Sequence, residues 1–383
     1  MKYRVCSRCI IDTTVPACKF NEEGECNYCR IHDKLEKQFP LNTDREMQFE
    51  RIIEKIKISG KSKKYDCIVG LSGGRDSTYS LNLAKQLGLR PLAVHFNDGF
   101  GNPVAGENMK KTTDRLGVDF RIVTSDWRES KNLKIAFLKA STPDLEQGTD
   151  VGIAATLYGV ATKENVKYII SGFSFRTEGI APLEWSYLDG RYLKKVYEKY
   201  NNIKLRRWTP DDPGFNLNIA HILYYTAFKR IKIVPLLCYV NYVRKEAESI
   251  IKDELGWVYP GAKHYDDLYQ SLMTYIYRVK FNIDRRRFNY SALVRSGQMP
   301  REEALSRVKE TYVVEDPKVI DLCIKRLGLT REEIDKFLAE PTKTFRDYPS
   351  SYNFIKQMRI PIKILGRLKL IPEVTYDKYF ECI

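Results

Sequence analysis

The sequence predicts an α/β fold in which a parallel sheet lies between a cysteine-rich N-terminal head and a mainly helical C-terminal region. Three observations predict it. Short β-branched runs alternate with helical segments from about residue 65 to 173, the pattern of a parallel sheet covered on both faces. Five of the nine cysteines fall within the first 29 residues. From about residue 262 to 340 the chain carries amphipathic helical patterns such as "REEALSRVKE" and "TREEIDKFLAE".

Bulk properties bound the possibilities. A chain of 383 residues suggests two or three packed units. With 43% hydrophobic and 30% charged residues the composition is that of an ordinary globular protein. No apolar run reaches the roughly 18 residues a membrane span needs, and "MKYRVCSRCIID" has no apolar signal core, so a cytoplasmic protein is expected. The net charge of +15 favours acidic partners, such as RNA or nucleotides, or is only a solubility field.

In chain order, residues 1–40 form the head. A helix is expected over Asp44 to Ile58, where Phe49, Ile52, Ile53 and Ile56 share one face. "YDCIVGL" reads as a buried strand, followed by glycines and the helical segment "DSTYSLNLAKQLG". "PLAVHF", "DFRIVTS" and "KYIISGF" read as further strands. Between them lie helices at "AGENMKKTTDRLG", stopped by Gly117, at "KNLKIAFLKAS", and at "TDVGIAATLYGVATKEN", capped near Thr149 or Asp150. The sheet unit is thus placed at 41–175. Residues 176–260, rich in Tyr, Trp and Pro, are expected to be an insertion serving the substrate, and 261–383 the mainly helical region.

The head carries Cys6-x2-Cys9 and Cys26-x2-Cys29. Two such knuckles predict a structural zinc held by four thiolates, without which some 40 residues could not fold alone. Cys18 and His32 are spare candidates.

The first strand runs into "SGGRDS" at Ser72 to Ser77 and then into a helix. Gly73 and Gly74 let backbone N–H groups approach an anion, the helix start is electropositive, and Ser72 and Ser77 add hydroxyls. The segment fits neither G-x-x-x-x-G-K-[ST] nor G-x-G-x-x-G. It resembles the S-G-G-x-D-S signature of the PP-loop ATP pyrophosphatases, whose fold is adenine nucleotide alpha hydrolase-like. That resemblance implies that Ser72, Gly73, Gly74, Arg75, Asp76 and Ser77 hold the β,γ-pyrophosphate of ATP with Mg²⁺. It also implies that Val94, His95, Phe96 and Asp98 lie against adenine and ribose, and that Gly172 closes the site.

Over nearly its full length the chain is also similar to the N-acetyl sugar amidotransferases of surface-polysaccharide (lipopolysaccharide, O-antigen) biosynthesis. The shared features are "CSRCIIDTT", "GECNYC", "GLSGGRDSTY" and "KFNIDRRRFNYSALVRSGQMPREEAL". The resemblance implies an ATP-dependent ligase that converts a sugar acetamido group to an acetamidino group through an adenylated oxygen and ammonia, releasing AMP and pyrophosphate. No glutaminase signature appears, so it implies a separate glutaminase subunit, with a barrel-type cyclase-like subunit as a further partner, and a free or nucleotide-linked sugar as substrate. The alternatives are a thiolation-type tRNA-modifying enzyme and a non-catalytic nucleic-acid binder. The first lacks cysteine pairs beyond the head, since Cys67, Cys238, Cys323 and Cys382 are single, and nucleic acid is not the expected partner.

Beside Asp76, the substrate-side candidates are Asp150, otherwise a helix cap, and Arg176 and Glu178, which follow a strand end. Lys263, His264 and Arg285 to Arg287 are candidate anion contacts, with a solvated face as the bland alternative.

Overall fold

The computed structural model describes residues 3–261, 265–311, 314–367, 376 and 379–380. In the head, bridges Val5↔Asp12 and Phe20↔Cys26 close two small turns, and α1 (Asn27–Gln38) follows. Helix α2 (Thr43–Gly60) starts on Asn42, whose side chain accepts from the Arg45 N–H, and buries Ile53 and Ile56 as its spacing predicts.

Five parallel strands form the sheet: β1 (Cys67–Gly70), β2 (Pro91–Asn97), β3 (Phe120–Thr124), β4 (Tyr168–Ser171) and β5 (Lys232–Pro235), in the order β3-β2-β1-β4-β5. Parallel neighbours need crossovers. The first three are α3 (Arg75–Gln86), α4 (Pro103–Leu116), and the pair α5 (Trp127–Ala140) and α6 (Gln147–Lys163), and the fourth, from β4 to β5, runs through residues 172–231. Side chains alternate across the sheet. Ile68 joins a core with Leu133, Ala136 and Ala155 of α5 and α6, whereas Cys67 and Val69 join Ile56, Leu81 and Ala84 of α2 and α3. The chain winds outward from β1 to β3 and then returns to β4 beside β1. That reversal leaves a crevice beyond the carboxyl ends of β1 and β4, the usual ligand position in such sheets.

Three expectations change. Helix α4 starts at Pro103 rather than near Ala105, because Asn102 caps it and proline suits the first turn. Helix α6 starts at Gln147, so Thr149 and Asp150 lie inside its first turn rather than at its cap. The Thr149 hydroxyl instead donates to Asp98. Finally, residues 176–260 supply the edge strand β5, paired with β4 through Ile170↔Val234. The signal was weak because "KIVP" is four residues long, ends in proline and leaves Ile233 exposed. This segment also holds α7 (Phe175–Glu178), α8 (Gly190–Tyr200), α9 (Ile219–Leu223) and α10 (Arg244–Leu255).

Beyond residue 260 the described residues are helical: α11 (Tyr269–Phe281), α12 (Arg286–Arg295), α13 (Arg301–Arg307), α14 (Pro317–Leu327), α15 (Arg331–Ala339), α16 (Tyr352–Gln357) and α17 (Arg359–Arg367). Thr330 and Glu333 form a capping box on α15, whereas Pro300 gives α13 no side-chain cap. Among the described residues no helix is long and apolar enough to cross a membrane.

Candidate functional site

The glycine loop leaves β1 and turns at Gly73, where φ is +78° and a Cβ would sit 2.2 Å from the Ala105 carbonyl oxygen. Only glycine fits there. The loop is fastened from behind: the Gly73 carbonyl accepts from Trp257 Nε1 at 2.9 Å and from Asn108 Nδ2 at 3.1 Å. Ser72 Oγ and Ser77 Oγ lie 3.1 Å apart. Gly172 packs on the start of α3, where a Cβ would meet the Asp76 carbonyl oxygen at 3.1 Å.

The loop forms one wall of a cavity of about 230 Å³, lined also by Asp76, Gly172 and Glu178. The opposite wall comes from Trp257, Tyr259, Pro260, Tyr265 and Asp266, which sequence reasoning missed. The available signal was the aromatic and acidic density of "WVYPGAKHYDD"; Lys263 and His264 lie outside the described residues, as does Cys382. Burial pushes the Asp266 carboxyl above the usual carboxylate range, opposed by a hydrogen bond with Ser72. Asp76 and Asp266 thus put two carboxyl groups on one cavity beside the loop.

Arg75 lines the same cavity and is held in place by neighbours. Its buried guanidinium turns back to Asp76 Oδ1 at 3.0 Å, to the Tyr242 hydroxyl at 3.3 Å and towards Glu248 at 3.7 Å. Tyr242 also donates to Asp76. Arg75 therefore orients Asp76 through its Nε and still lines the cavity. Near them, burial and the charge of Arg75 hold the Arg244 guanidinium below its usual range.

Val94, His95, Phe96 and Asp98 do not line this cavity. Val94 is buried in the core on the α5 and α6 side. His95 Nδ1 lies 3.0 Å from the Leu71 carbonyl oxygen, and burial lowers its pKa. Phe96 packs edge-on against Phe215. Asp98 is buried, with Lys134 Nζ at 2.6 Å and the Thr149 hydroxyl at 2.8 Å. Burial raises its carboxyl, yet Lys134 outweighs this and holds it below the usual range. These carboxylate oxygens are committed to the fold rather than offered to ribose or metal.

A second cavity, about 260 Å³, adjoins the first, and Glu178 lines both. Asp150, Gln147, Trp185, Tyr277, Phe288 and Asn289 also line it. Asp150 and Glu178 therefore come together on one cavity. Arg176 does not join them. Its buried guanidinium grips Glu36 at 2.9 and 2.6 Å and donates to the Phe39 and Cys238 carbonyls at 2.7 and 3.2 Å. Of the arginine triplet, Arg285 lines the second cavity, 3.1 Å from Glu146. Arg286 pairs with Asp284 at 2.8 Å and Arg287 with Asp12 at 2.8 Å.

In the head, Cys6, Cys9, Cys26 and Cys29 are buried with their sulfurs all within 4.8 Å of one another. Three of the S···S separations are 3.7 Å. A tetrahedral ion with bonds of about 2.3 Å to sulfur needs edges of about 3.8 Å, so the set fits a metal. Cys18 stands outside the group, its thiol pushed up to about 12 by burial and the neighbouring cysteines. His32 is buried beside Glu36.

Residues 259–359 match the family model for the LPS biosynthesis protein WbpG-like, C-terminal domain. The matched residues supply Tyr259, Pro260, Tyr265 and Asp266 to the first cavity and Tyr277, Phe288 and Asn289 to the second. The uncharacterised protein MJ1599 of Methanocaldococcus jannaschii is 28% identical over 193 residues, 47% of this chain, which spans 66% of that relative. Among solved structures, an NH3-dependent NAD synthetase of Campylobacter jejuni is 16% identical with a TM-score of 0.28, covering 79% of this chain and 99% of its own. An NMN synthetase of Francisella tularensis is 13% identical with a TM-score of 0.28, covering 76% and 98%. The U34-tRNA thiolase NcsA of Methanococcus maripaludis is 14% identical with a TM-score of 0.25, covering 67% and 84%. No function transfers from superpositions this weak.

Proposed function

We propose that the chain is an ATP-dependent amidotransferase that turns the acetamido group of a sugar into an acetamidino group. The observation that carries this is the pair of adjoining cavities, one on the glycine loop and one on the matched C-terminal residues, with Glu178 lining both. The pyrophosphate of ATP lies on the loop from Ser72 to Ser77, with Arg244 a nearby cation, and the sugar fills the second cavity with Trp185 as its apolar wall. Asp76 and Asp266 are the residues to hold Mg²⁺, which when bound neutralises charge on the phosphates.

An amide oxygen is a poor leaving group. Its attack on the α-phosphorus expels pyrophosphate and leaves an O-adenylated imidate. Ammonia then adds to the imidate carbon, and departure of AMP leaves the amidinium. Backbone N–H groups of the loop stabilise the charge growing on pyrophosphate. Glu178 and Asp150 strip the spare proton from ammonium and orient the ammonia that attacks. A separate glutaminase subunit supplies that ammonia, with the barrel-type subunit as a further partner. The four head cysteines hold a structural zinc. The thiolation alternative is disfavoured, since neither cavity is lined by a described cysteine, and burial pushes the Cys238 and Cys323 thiols up to about 12.

The test is incubation with ATP, Mg²⁺, ammonium and a UDP-linked N-acetylhexosamine. AMP and pyrophosphate should appear together, dependent on the sugar. Release of ADP, or AMP formation that ignores the sugar, would contradict the proposal.

A further inference from the structure

Helix α7 is a single turn, Phe175–Glu178, and ends at Gly179, where φ is +74°. One turn cannot hold its own geometry in water. Something else must fix Glu178, the residue shared by both cavities.

The fixing contacts run through Arg176, two residues earlier. Its side chain is 4% exposed, and its partners come from three places: Glu36 on α1, the Phe39 carbonyl just past α1, and the Cys238 carbonyl beyond β5. Ser296, after α12, donates to the Arg176 carbonyl at 2.9 Å. Glu36 follows Cys29 by seven residues on α1, about two turns. The cysteine cluster thus sets the pose of α1, and α1 sets the pose of Arg176.

A second arm reaches the other wall of the acceptor cavity. Arg301 donates to the Cys6 carbonyl at 2.8 Å and to the Cys9 carbonyl at 3.1 Å. The Ile10 N–H donates to the Ser291 hydroxyl at 3.2 Å, and Arg287 pairs with Asp12. Helix α12, which carries Arg287 and Ser291, also presents Phe288 and Asn289 to the second cavity. The head therefore touches two of the elements that line that cavity, α7 and α12.

A buried ion pair is weak evidence for stability, because apolar residues of similar volume often serve as well. What a forked guanidinium adds is directional fixing. We infer that the cysteine head is a positioning element for the acceptor site, with Glu36 and Arg176 as the positioning residues that aim Glu178. The inference rests on the acceptor assignment of the second cavity, but one of its tests does not.

That test is amide hydrogen exchange of the full chain. Glu36→Gln should speed exchange at residues 175–179 at least tenfold while its metal content stays that of the wild type. In the assay above, the same variant should raise the KM for the UDP-linked N-acetylhexosamine about tenfold and leave the KM for ATP within twofold. Arg176→Lys, which loses the fork but keeps the charge, should do the same and serves if Glu36→Gln folds poorly. Lys37→Gln, an exposed neighbour on α1, should change none of these. Unchanged exchange at 175–179, or equal losses towards ATP and sugar, overturns the inference. A wild type that forms no AMP at all would sink the proposed reaction, and the exchange result would still decide the positioning role.

Discussion

Gly73→Ala is the sharpest probe of the loop. Two costs arise. At φ +78° an alanine sits in left-handed space, worth about 1–2 kcal/mol against it. Its Cβ would also stand 2.2 Å from the Ala105 carbonyl oxygen and 2.8 Å from that carbonyl carbon. Ordinary contact begins at 3.4 Å, so loop and helix must part by about 1.2 Å. The obstacle is backbone, which no side-chain rotation relieves. Parting pulls the Gly73 carbonyl from Trp257 and Asn108, whose bonds are 2.9 and 3.1 Å long, at about 1 kcal/mol each. The sum is about 3–4 kcal/mol. If the loop cradles pyrophosphate, most of this appears as lost affinity, two to three decades in the Kd for ATP at about 1.4 kcal/mol per decade. Isothermal titration of ATP with Mg²⁺ measures it, with thermal unfolding as the check on folding. Gly106→Ala is the control, since Gly106 lies in α4 with nothing within 4 Å of a Cβ; it should bind ATP as the wild type does and gain a little stability. A folded Gly73→Ala protein with the wild-type Kd would refute the assignment of the loop.

Glu178→Gln should keep the Kd for ATP within twofold and lower the rate of AMP formation by 10²-fold or more, the usual scale for a proton-transfer group; quantifying AMP in single turnovers checks it. Removing metal with a strong chelator should release one ion per chain, with the four buried cysteines becoming reactive to a thiol reagent, and a thermal transition lowered by several degrees; Cys9→Ser should reproduce the last effect. Because burial raises the Asp266 carboxyl, its charged form costs stability at neutral pH, and the protonated form removes that cost as pH falls. Asp266→Asn should therefore raise Tm at pH 8. The gain should shrink as pH drops through the raised folded value towards the unfolded value of about 4, while ATP binding with Mg²⁺ weakens; Tm measured from pH 4 to 8 follows the trend.

The sequence by itself determined the elements whose signals are local. Alternation of "YDCIVGL", "PLAVHF" and "KYIISGF" with helical runs specified a parallel sheet, and the two C-x2-C pairs specified the thiol cluster. The run "SGGRDS" specified a loop that glycine alone can form. These depend on backbone sterics and short-range periodicity, which sequence spacing records directly. Only the tertiary structure decided what each charged side chain does. Arg176 looked like a ligand contact because it follows a strand end, and Asp98 because of the loop resemblance, yet Glu36 and Lys134, distant in sequence, claim them. Asp266 and Tyr259, which no sequence signal singled out, became the far wall of the cavity. A guanidinium or carboxylate bonds to whatever the fold brings within about 3 Å, and that partner is set by long-range packing that no local pattern carries.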